Sequence, residues 1–237
     1  MIDINCDLGE GFHNEHMIMP LISSCNISCG AHAGSIEIID KVIQLAVQYN
    51  VKIGAHPSFP DRQNFGRKVL NISNSELQKS LEDQLTVFKE RALLQDATIH
   101  HVKPHGALYN LIAVNREKAS VVIAAIQHVF EAVKLYVPYK SSIEEVAAQS
   151  GLEIVYEAFA DRRYNEDLSL VSRTLSNALI VDKYEVSKQV QKISDKQLVT
   201  TVNLNEKEIK ASTFCVHGDT KNAIEILQYL HKHIHTK

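Results

Sequence analysis

The strongest constraint on how this chain can fold is an alternation. Short β-prone runs at 2–5, 25–28, 51–55, 99–103, 135–138, 154–159 and 212–217 are separated, for the most part, by stretches of helical periodicity at 37–49, 75–94, 117–133, 142–150, 184–193 and 220–233. Strands joined through helices return by right-handed crossovers, so the pattern predicts a parallel sheet covered by helices, either open or closed into a barrel. The two glycine devices that would favour an open sheet are missing. No G-x-G-x-x-G follows the first strand and no G-x-x-x-x-G-K-[ST] occurs anywhere. An α/β (β/α)7 barrel, forming one domain over residues 1–237, is therefore expected.

Local signals agree with that frame. Ser73 and Glu76 have capping-box spacing, after which Leu77, Leu81, Leu85 and Phe88 share one helical face. Gly151 has the position of a glycine that ends a helix. The segment 160–182 breaks the alternation; it is long, polar and rich in Asp and Arg, which marks a functional or mobile loop. Residues 206–210 read as a turn or hairpin before the last strand.

Polar residues gather where strands end. The first strand runs into Asp7 and Glu10, and the second carries Asn26 and runs into His32. The third gives His56, then Asp61, Arg62 and Arg67; the fourth gives Lys103 and His105, with Tyr109 and Asn110 beyond. The sixth holds Glu157 and continues to Asp161 and Arg162, and the last ends in His217. In a barrel all these ends meet at one rim, so residues far apart in sequence face one pocket. Adjacent glycines permit the sharp strand-to-loop turns and close approach that such a rim needs.

Each residue also has a plainer reading. A lone strand-end histidine is more often structural, but His32, His56, His105 and His217 recur at four ends. His13, His16, His128, His231, His233 and His235 are assigned to solvated faces or the tail, and of adjacent His100 and His101 only one can share the His105 side. Asp7 and Glu10 could cap a loop or serve as acid, base or metal ligand. The arginines, with Arg163 and Arg173, could pair with Asp61, Asp161 and Asp167 or fork onto a carboxylate or phosphate. Cys6, Cys25, Cys29 and Cys215 form no C-x-x-C pair and read as buried core thiols.

Composition removes other classes. With 25 Lys and Arg against 28 Asp and Glu and no like-charge run, nothing supports nucleic-acid or membrane-surface binding. No stretch of 18 apolar residues occurs, and Met1-Ile2-Asp3 lacks the basic region of a signal peptide, so a cytoplasmic protein is expected.

Six blocks then carry a resemblance: N-C-D-L-G-E-G at 5–11, S-S-C-N-I-S-C-G-A-H-A-G at 23–34, I-G-A-H-P-S-F-P-D-R-Q-N-F-G-R at 53–67, H-V-K-P-H-G-A-L-Y-N at 101–110, E-A-F-A-D-R-R-Y at 157–164 and C-V-H-G-D at 215–219. In this order they resemble the LamB/YcsF family, which provides the A subunit of a bacterial 5-oxoprolinase. The resemblance implies a (β/α)7 barrel akin to glycoside hydrolases and polysaccharide deacetylases. It also implies opening of 5-oxo-L-proline to L-glutamate with ATP, accompanied by Mg, as co-substrate and with separate 5-oxoprolinase subunits B and C as partners. Ala31, Ser35, Ser169 and Ser172 depart from the family pattern, where Phe, Asp, Gly and Pro are usual. On strand-end position, Asp7, Glu10, His56 and His105 are expected to move protons or activate water, with Lys103 stabilising an anionic oxygen. Asn26, His32, Asp61, Arg62, Arg67, Tyr109, Asn110, Glu157, Asp161, Arg162 and His217 are expected around the substrate. Two other classes stay open: a self-sufficient metal-dependent deacetylase or amidohydrolase using Asp7 with two of His32, His56 and His105, and a non-catalytic scaffold component.

Overall fold

The computed structural model describes residues 2–234; His235 therefore lies outside the described residues. Seven parallel strands close into a barrel: β1 (Asp3–Leu8), β2 (Ser24–Ser28), β3 (Lys52–His56), β4 (Ile99–Val102), β5 (Lys134–Pro138), β6 (Ile154–Phe159) and β9 (Thr213–Cys215). Closure is made by β9, which pairs with β6 on one side and β1 on the other, aligning Thr213 with both Glu157 and Asp3. The alternation thus resolves in favour of the closed sheet.

Helices α2 (Ile36–Gln48), α3 (Asn74–Leu93), α5 (Arg116–Val129), α6 (Ser142–Gln149), α7 (Lys183–Lys196) and α8 (Ala223–His233) match the periodic stretches. Side-chain caps start most of them. Ser73 and Glu76 form the expected capping box of α3, Ser141 and Glu144 form another on α6, and Asp182 caps α7. Leu77, Leu81, Leu85 and Phe88 are all buried on the α3 face, and Gly151 adopts the left-handed φ of +70° that stops the chain after α6.

Two elements differ from the sequence expectation, and a third bears it out. Helix α4 (Gly106–Val114) follows β4 directly; its A-L-Y-N-L-I-A-V sequence has almost no polar face, so amphipathic periodicity does not reveal it. A four-residue helix α1 (Glu15–Ile18) fills the β1–β2 connection. The irregularity near 206–210 is half of an antiparallel hairpin, β7 (Leu198–Thr200) with β8 (Glu206–Glu208), outside the barrel. No helix among the described residues is long and apolar enough to cross a membrane.

The barrel interior is polar. Along β1, Ile4, Cys6 and Leu8 join the apolar layer beneath the helices, while Asn5 and Asp7, of the opposite parity, bond to residues of other strands. Asn5 Nδ2 donates to Glu157 Oε1 and Thr213 Oγ1, each at 2.9 Å. Asn26 Nδ2 donates to Asn5 Oδ1 and Asp7 Oδ1, each at 2.8 Å. His101 lies across the barrel, with Nε2 2.6 Å from Asn26 Oδ1 and its ring stacked on Tyr136. Gly54 makes that crossing possible, because a Cβ there would stand 2.1 Å from His101 Nε2.

Candidate active site

A cavity of about 350 Å³ opens at the carboxyl ends of the strands, lined among others by Asp7, Glu10, His56, Lys103, His105 and His217. Lys103, the residue after β4, is buried at its centre. Its Nζ reaches Glu157 Oε1 at 2.9 Å, Asp7 Oδ1 at 3.0 Å and Cys215 Sγ at 3.0 Å. Burial alone would lower the Lys103 pKa, but Asp7, Cys215 and Glu157 together hold it well above its ordinary value. The same pairing acts in reverse on Asp7. Burial pushes its carboxyl up, and the neighbouring His56 and Lys103 outweigh that, so Asp7 stays ionised. An ammonium has three N–H bonds, and here all are directed to protein acceptors; Lys103 must release one to reach a substrate oxygen.

Beside this pair, Glu10 meets three imidazoles. Glu10 Oε1 is 3.0 Å from His32 Nε2, 3.2 Å from His105 Nδ1 and 3.9 Å from His56 Nε2. His32 and His105 stack with ring centres 3.8 Å apart, and His56 Nε2 lies 2.9 Å from His105 Nδ1 and 3.5 Å from Asp7 Oδ2. Burial brings the His32 imidazole down to about 3, so it is neutral, and burial also lowers His105. Burial opposes a charge on His56 too, yet Asp7 raises it above the ordinary imidazole value. The loop at 61–67 shapes this corner. Gly66, at φ +63°, packs so closely on His105 that a Cβ would stand 2.9 Å from its Cδ2.

On the opposite wall Asp161 Oδ1 lies 2.9 Å from His217 Nδ1, and its Oδ2 accepts from His217 N and Thr220 Oγ1 at 3.0 and 2.5 Å. This fixes Nδ1 as the protonated nitrogen and leaves Nε2 as the one available to the cavity. Burial raises the Asp161 pKa, but His217 and Thr220 more than compensate and hold it low. At the rim, Asp219 Oδ2 accepts from both Arg67 Nη2 at 2.5 Å and Arg173 Nη1 at 3.2 Å, so two guanidiniums stand over the opening.

The structure thus gathers Asp7, Glu10, His56, Lys103 and His105 at one mouth, and Arg67, Tyr109, Asn110, Arg162 and His217 line the same cavity. Several other sequence candidates stand back from it. Asn26 is an internal strut of the barrel, and His32 lies behind His105. Asp61 Oδ1 accepts from Asn64 N and Nδ2, building the loop, while Arg62 Nη2 clamps the Gly30 and Gly34 carbonyls at 2.7 Å each. Glu157 and Asp161 serve as counter-charges beneath Lys103 and behind His217. Sequence reasoning missed Asn5, Cys215 and Asp219 as site components, and left Arg173 between an ion pair and an anion fork. Strand parity carries the signal for the first two: Asn5 shares the Asp7 face, and Cys215 shares that of Thr213. All four cysteines are buried, but Cys215 touches the lysine rather than only packing.

The 160–182 segment is pinned rather than loose. Tyr164 Oη accepts from Phe159 N, Arg162 Nη2 donates to the Val171 carbonyl, and Gln189 Nε2 bonds the carbonyls of Phe159, Ala160 and Arg162. Its residues Leu170 to Thr174 form one wall of the cavity.

A model of the LamB/YcsF family matches residues 2–237. The chain belongs to the LamB/YcsF family. Within it, a 5-oxoprolinase A subunit of Bacillus cereus (strain B4264) is 39% identical over 237 residues, covering 98% of this chain and 94% of its own. Another such A subunit, of Staphylococcus aureus (strain MRSA252), is 41% identical over 228 residues, covering 94% and 91%. Among solved structures, a lactam utilization protein from Thermus thermophilus superposes with a TM-score of 0.91 at 31% identity, covering 100% of this chain and 98% of that one. The LamB/YcsF barrel described above is therefore shared with a protein whose name already points to a cyclic amide.

Proposed function

We propose that the chain is the A subunit of an ATP-dependent 5-oxoprolinase and that its barrel mouth binds 5-oxo-L-proline for hydrolysis to L-glutamate. The observation that carries the reading is one cavity holding an ionised carboxylate, an oriented imidazole and a pair of rim guanidiniums. Relatives 39% and 41% identical that are named as A subunits of 5-oxoprolinase support it.

An unstrained five-membered lactam resists hydrolysis, and its ring form is favoured over the open acid, so coupling to ATP answers both problems. The substrate carboxylate is a partner for Arg67 and Arg173, which can exchange Asp219 for it as a bidentate fork. Asp7, kept ionised by His56 and Lys103, takes a proton from water as its oxygen bonds to the ring carbonyl carbon. The C–N bond then breaks, and the ring nitrogen becomes the amine of glutamate, receiving by way of His217 Nε2, whose orientation Asp161 sets, the proton that Asp7 took from water. Lys103 acts on this sequence chiefly through Asp7. With no phosphate-cradling glycine motif in the chain, the nucleotide is held here in some other way or on a partner subunit.

The test is glutamate release from 5-oxoproline with the three purified subunits, each omitted in turn. Release that needs all three and ATP supports the reading. Turnover that survives omission of this chain, or that proceeds without ATP, overturns it.

A further inference from the structure

Around Glu10 the imidazoles are set up for a positive charge that no lysine or arginine among the described residues supplies. His56 Nδ1 is 2.6 Å from the Lys103 carbonyl, and His105 Nε2 is 2.9 Å from the Phe65 carbonyl. A carbonyl can only accept, so those two nitrogens carry the ring protons. The opposite nitrogens, His56 Nε2 and His105 Nδ1, are the pair 2.9 Å apart; an ion here would displace the proton that Asp7 favours on His56, and both nitrogens would then present lone pairs. On the third ring, His32 Nδ1 lies 2.9 Å from Ser58 Oγ, and that hydroxyl donates to the Phe59 carbonyl at 2.8 Å. Ser58 Oγ therefore accepts from His32 Nδ1, which leaves His32 Nε2 bare towards Glu10 as well. Three lone pairs and a carboxylate oxygen converge, all within 4.8 Å of one another.

We infer that His32 Nε2, His56 Nε2, His105 Nδ1 and the Glu10 carboxylate form a binding site for one divalent transition-metal ion of the zinc class. Four ligands at about 2.1 Å from a tetrahedral ion stand about 3.4 Å apart. Four of the six separations here run from 2.9 Å between His56 and His105 to 3.9 Å between His56 and Glu10, on either side of that value, and all six lie within 4.8 Å. Three imidazoles with one carboxylate suit zinc-like ions, whereas magnesium and calcium favour all-oxygen sets. Each ring also has its far nitrogen fixed by an acceptor, the outer-shell support that orients ligating histidines. A second cluster, Asp7 with Cys215 and His217, is equally compact. Its charge is already met by the Lys103 ammonium, 3.0 Å from both Asp7 and Cys215, so the ion belongs to the first. Glu10, His56 and His105 line the cavity, so the ion would face it.

This inference stands on donor geometry and is independent of the substrate, so its failure leaves the oxoprolinase reading untouched. The experiment uses the untagged full chain, stripped with a chelator, re-equilibrated with Zn²⁺ or Co²⁺ and freed of excess by gel filtration. About one equivalent of metal per chain is expected. Glu10→Gln and His105→Ala should weaken Zn²⁺ binding more than about 100-fold, and Ser58→Ala, which removes only the support of His32, about 10- to 100-fold. His128→Ala, on an exposed helical face, should bind as the parent does. Should the ligand variants fail to fold, X-ray absorption on the zinc form of the parent chain decides, with three imidazoles and one carboxylate oxygen expected. Clearly substoichiometric metal in the parent, affinity unchanged in folded ligand variants, or a ligand set with fewer than three imidazoles would overturn the site. The His56–His105 pair would then be bridged by a proton.

Discussion

Replacing Lys103 by Met keeps the buried volume close to native while removing the only ammonium among Asp7, Glu157 and Cys215. Two buried carboxylates would be left without their cation, and breaking a buried pair from one side costs about 3–5 kcal/mol. For a chain of this length that is a fall in melting temperature of about 6–20 °C. The pH dependence is more telling than the size. In the parent, Asp7 is depressed, so its contribution is complete above the unfolded carboxyl value of about 3.9 and is lost only as pH falls through its folded value. Lys103 is raised, so its contribution is complete below about 10.4 and is lost only as pH rises through its folded value. Neither changes between pH 5 and 9. In Lys103→Met the desolvation of Asp7 is opposed by one cation fewer, so its carboxyl moves up and the native state binds a proton that the unfolded state does not. Stability then falls as pH rises. Urea unfolding at pH 5, 7 and 9 should show a penalty near 3–5 kcal/mol at the two higher values, narrowing by about 1 kcal/mol or more at pH 5. Adding Glu157→Gln should restore part of the loss, because it removes one stranded charge. A penalty below about 1 kcal/mol, or one independent of pH, would refute the account of Lys103 as the counter-charge of the site.

Three further outcomes follow from particular contacts. Asp161→Asn removes the carboxylate that holds His217 and Thr220; it should cost about 1–3 kcal/mol at pH 7. Because the Asp161 pKa is depressed, that cost should shrink as acid titrates the parent below about pH 4, which an acid-unfolding curve reads directly. Gly54→Ala drives a methyl to 2.1 Å from His101 Nε2, so the ring must leave Asn26 and Tyr136; a loss of about 3 kcal/mol in chemical denaturation is expected, and a neutral result would show that the ring can move freely. Arg173→Ala should raise KM for 5-oxoproline in the reconstituted complex about tenfold with little change in kcat, since it contacts the substrate equally in ground and transition states; an equal fall in kcat would place the arginine in the chemistry instead.

What could be read from the sequence followed from period and spacing. The seven strands of the barrel emerge because β-branched runs are punctuated by glycine and separated by capped amphipathic helices, and these are local signals. Helix α4 was hidden because it is apolar on nearly every side, so no polar face marks its period. The rim was legible as a set of strand-end residues, but strand-end position cannot say which of them point inward at the same height. Asn26 and His101 look equivalent to His56 and Lys103 by sequence position, yet sit one layer deeper, where they brace Asp7 instead of meeting a ligand. Arg62 is adjacent to Asp61 at a strand end and nevertheless folds back onto the Gly30 and Gly34 carbonyls, a choice made by loop geometry alone.

The polar interior also bears on why such a barrel tolerates buried charge. A barrel core is ordinarily packed by branched apolar side chains, and replacing a buried ion pair with them is often neutral or stabilising. Asn5, Asn26, Glu157 and Lys103 therefore contribute little to folding that leucine or isoleucine could not. What apolar packing could not do is keep a buried Asp7 ionised at the mouth of the barrel. Lys103 and His56 supply positive charge to Asp7, Glu157 balances Lys103 from below, and Asn5 and Asn26 hold both carboxylates in fixed directions. Each member is oriented by at least one partner on a different strand, so moving one strand disturbs the ionisation of Asp7 before it disturbs the fold. On this argument, substitutions at Asn5 and Asn26 should impair turnover more than their modest effect on stability would suggest.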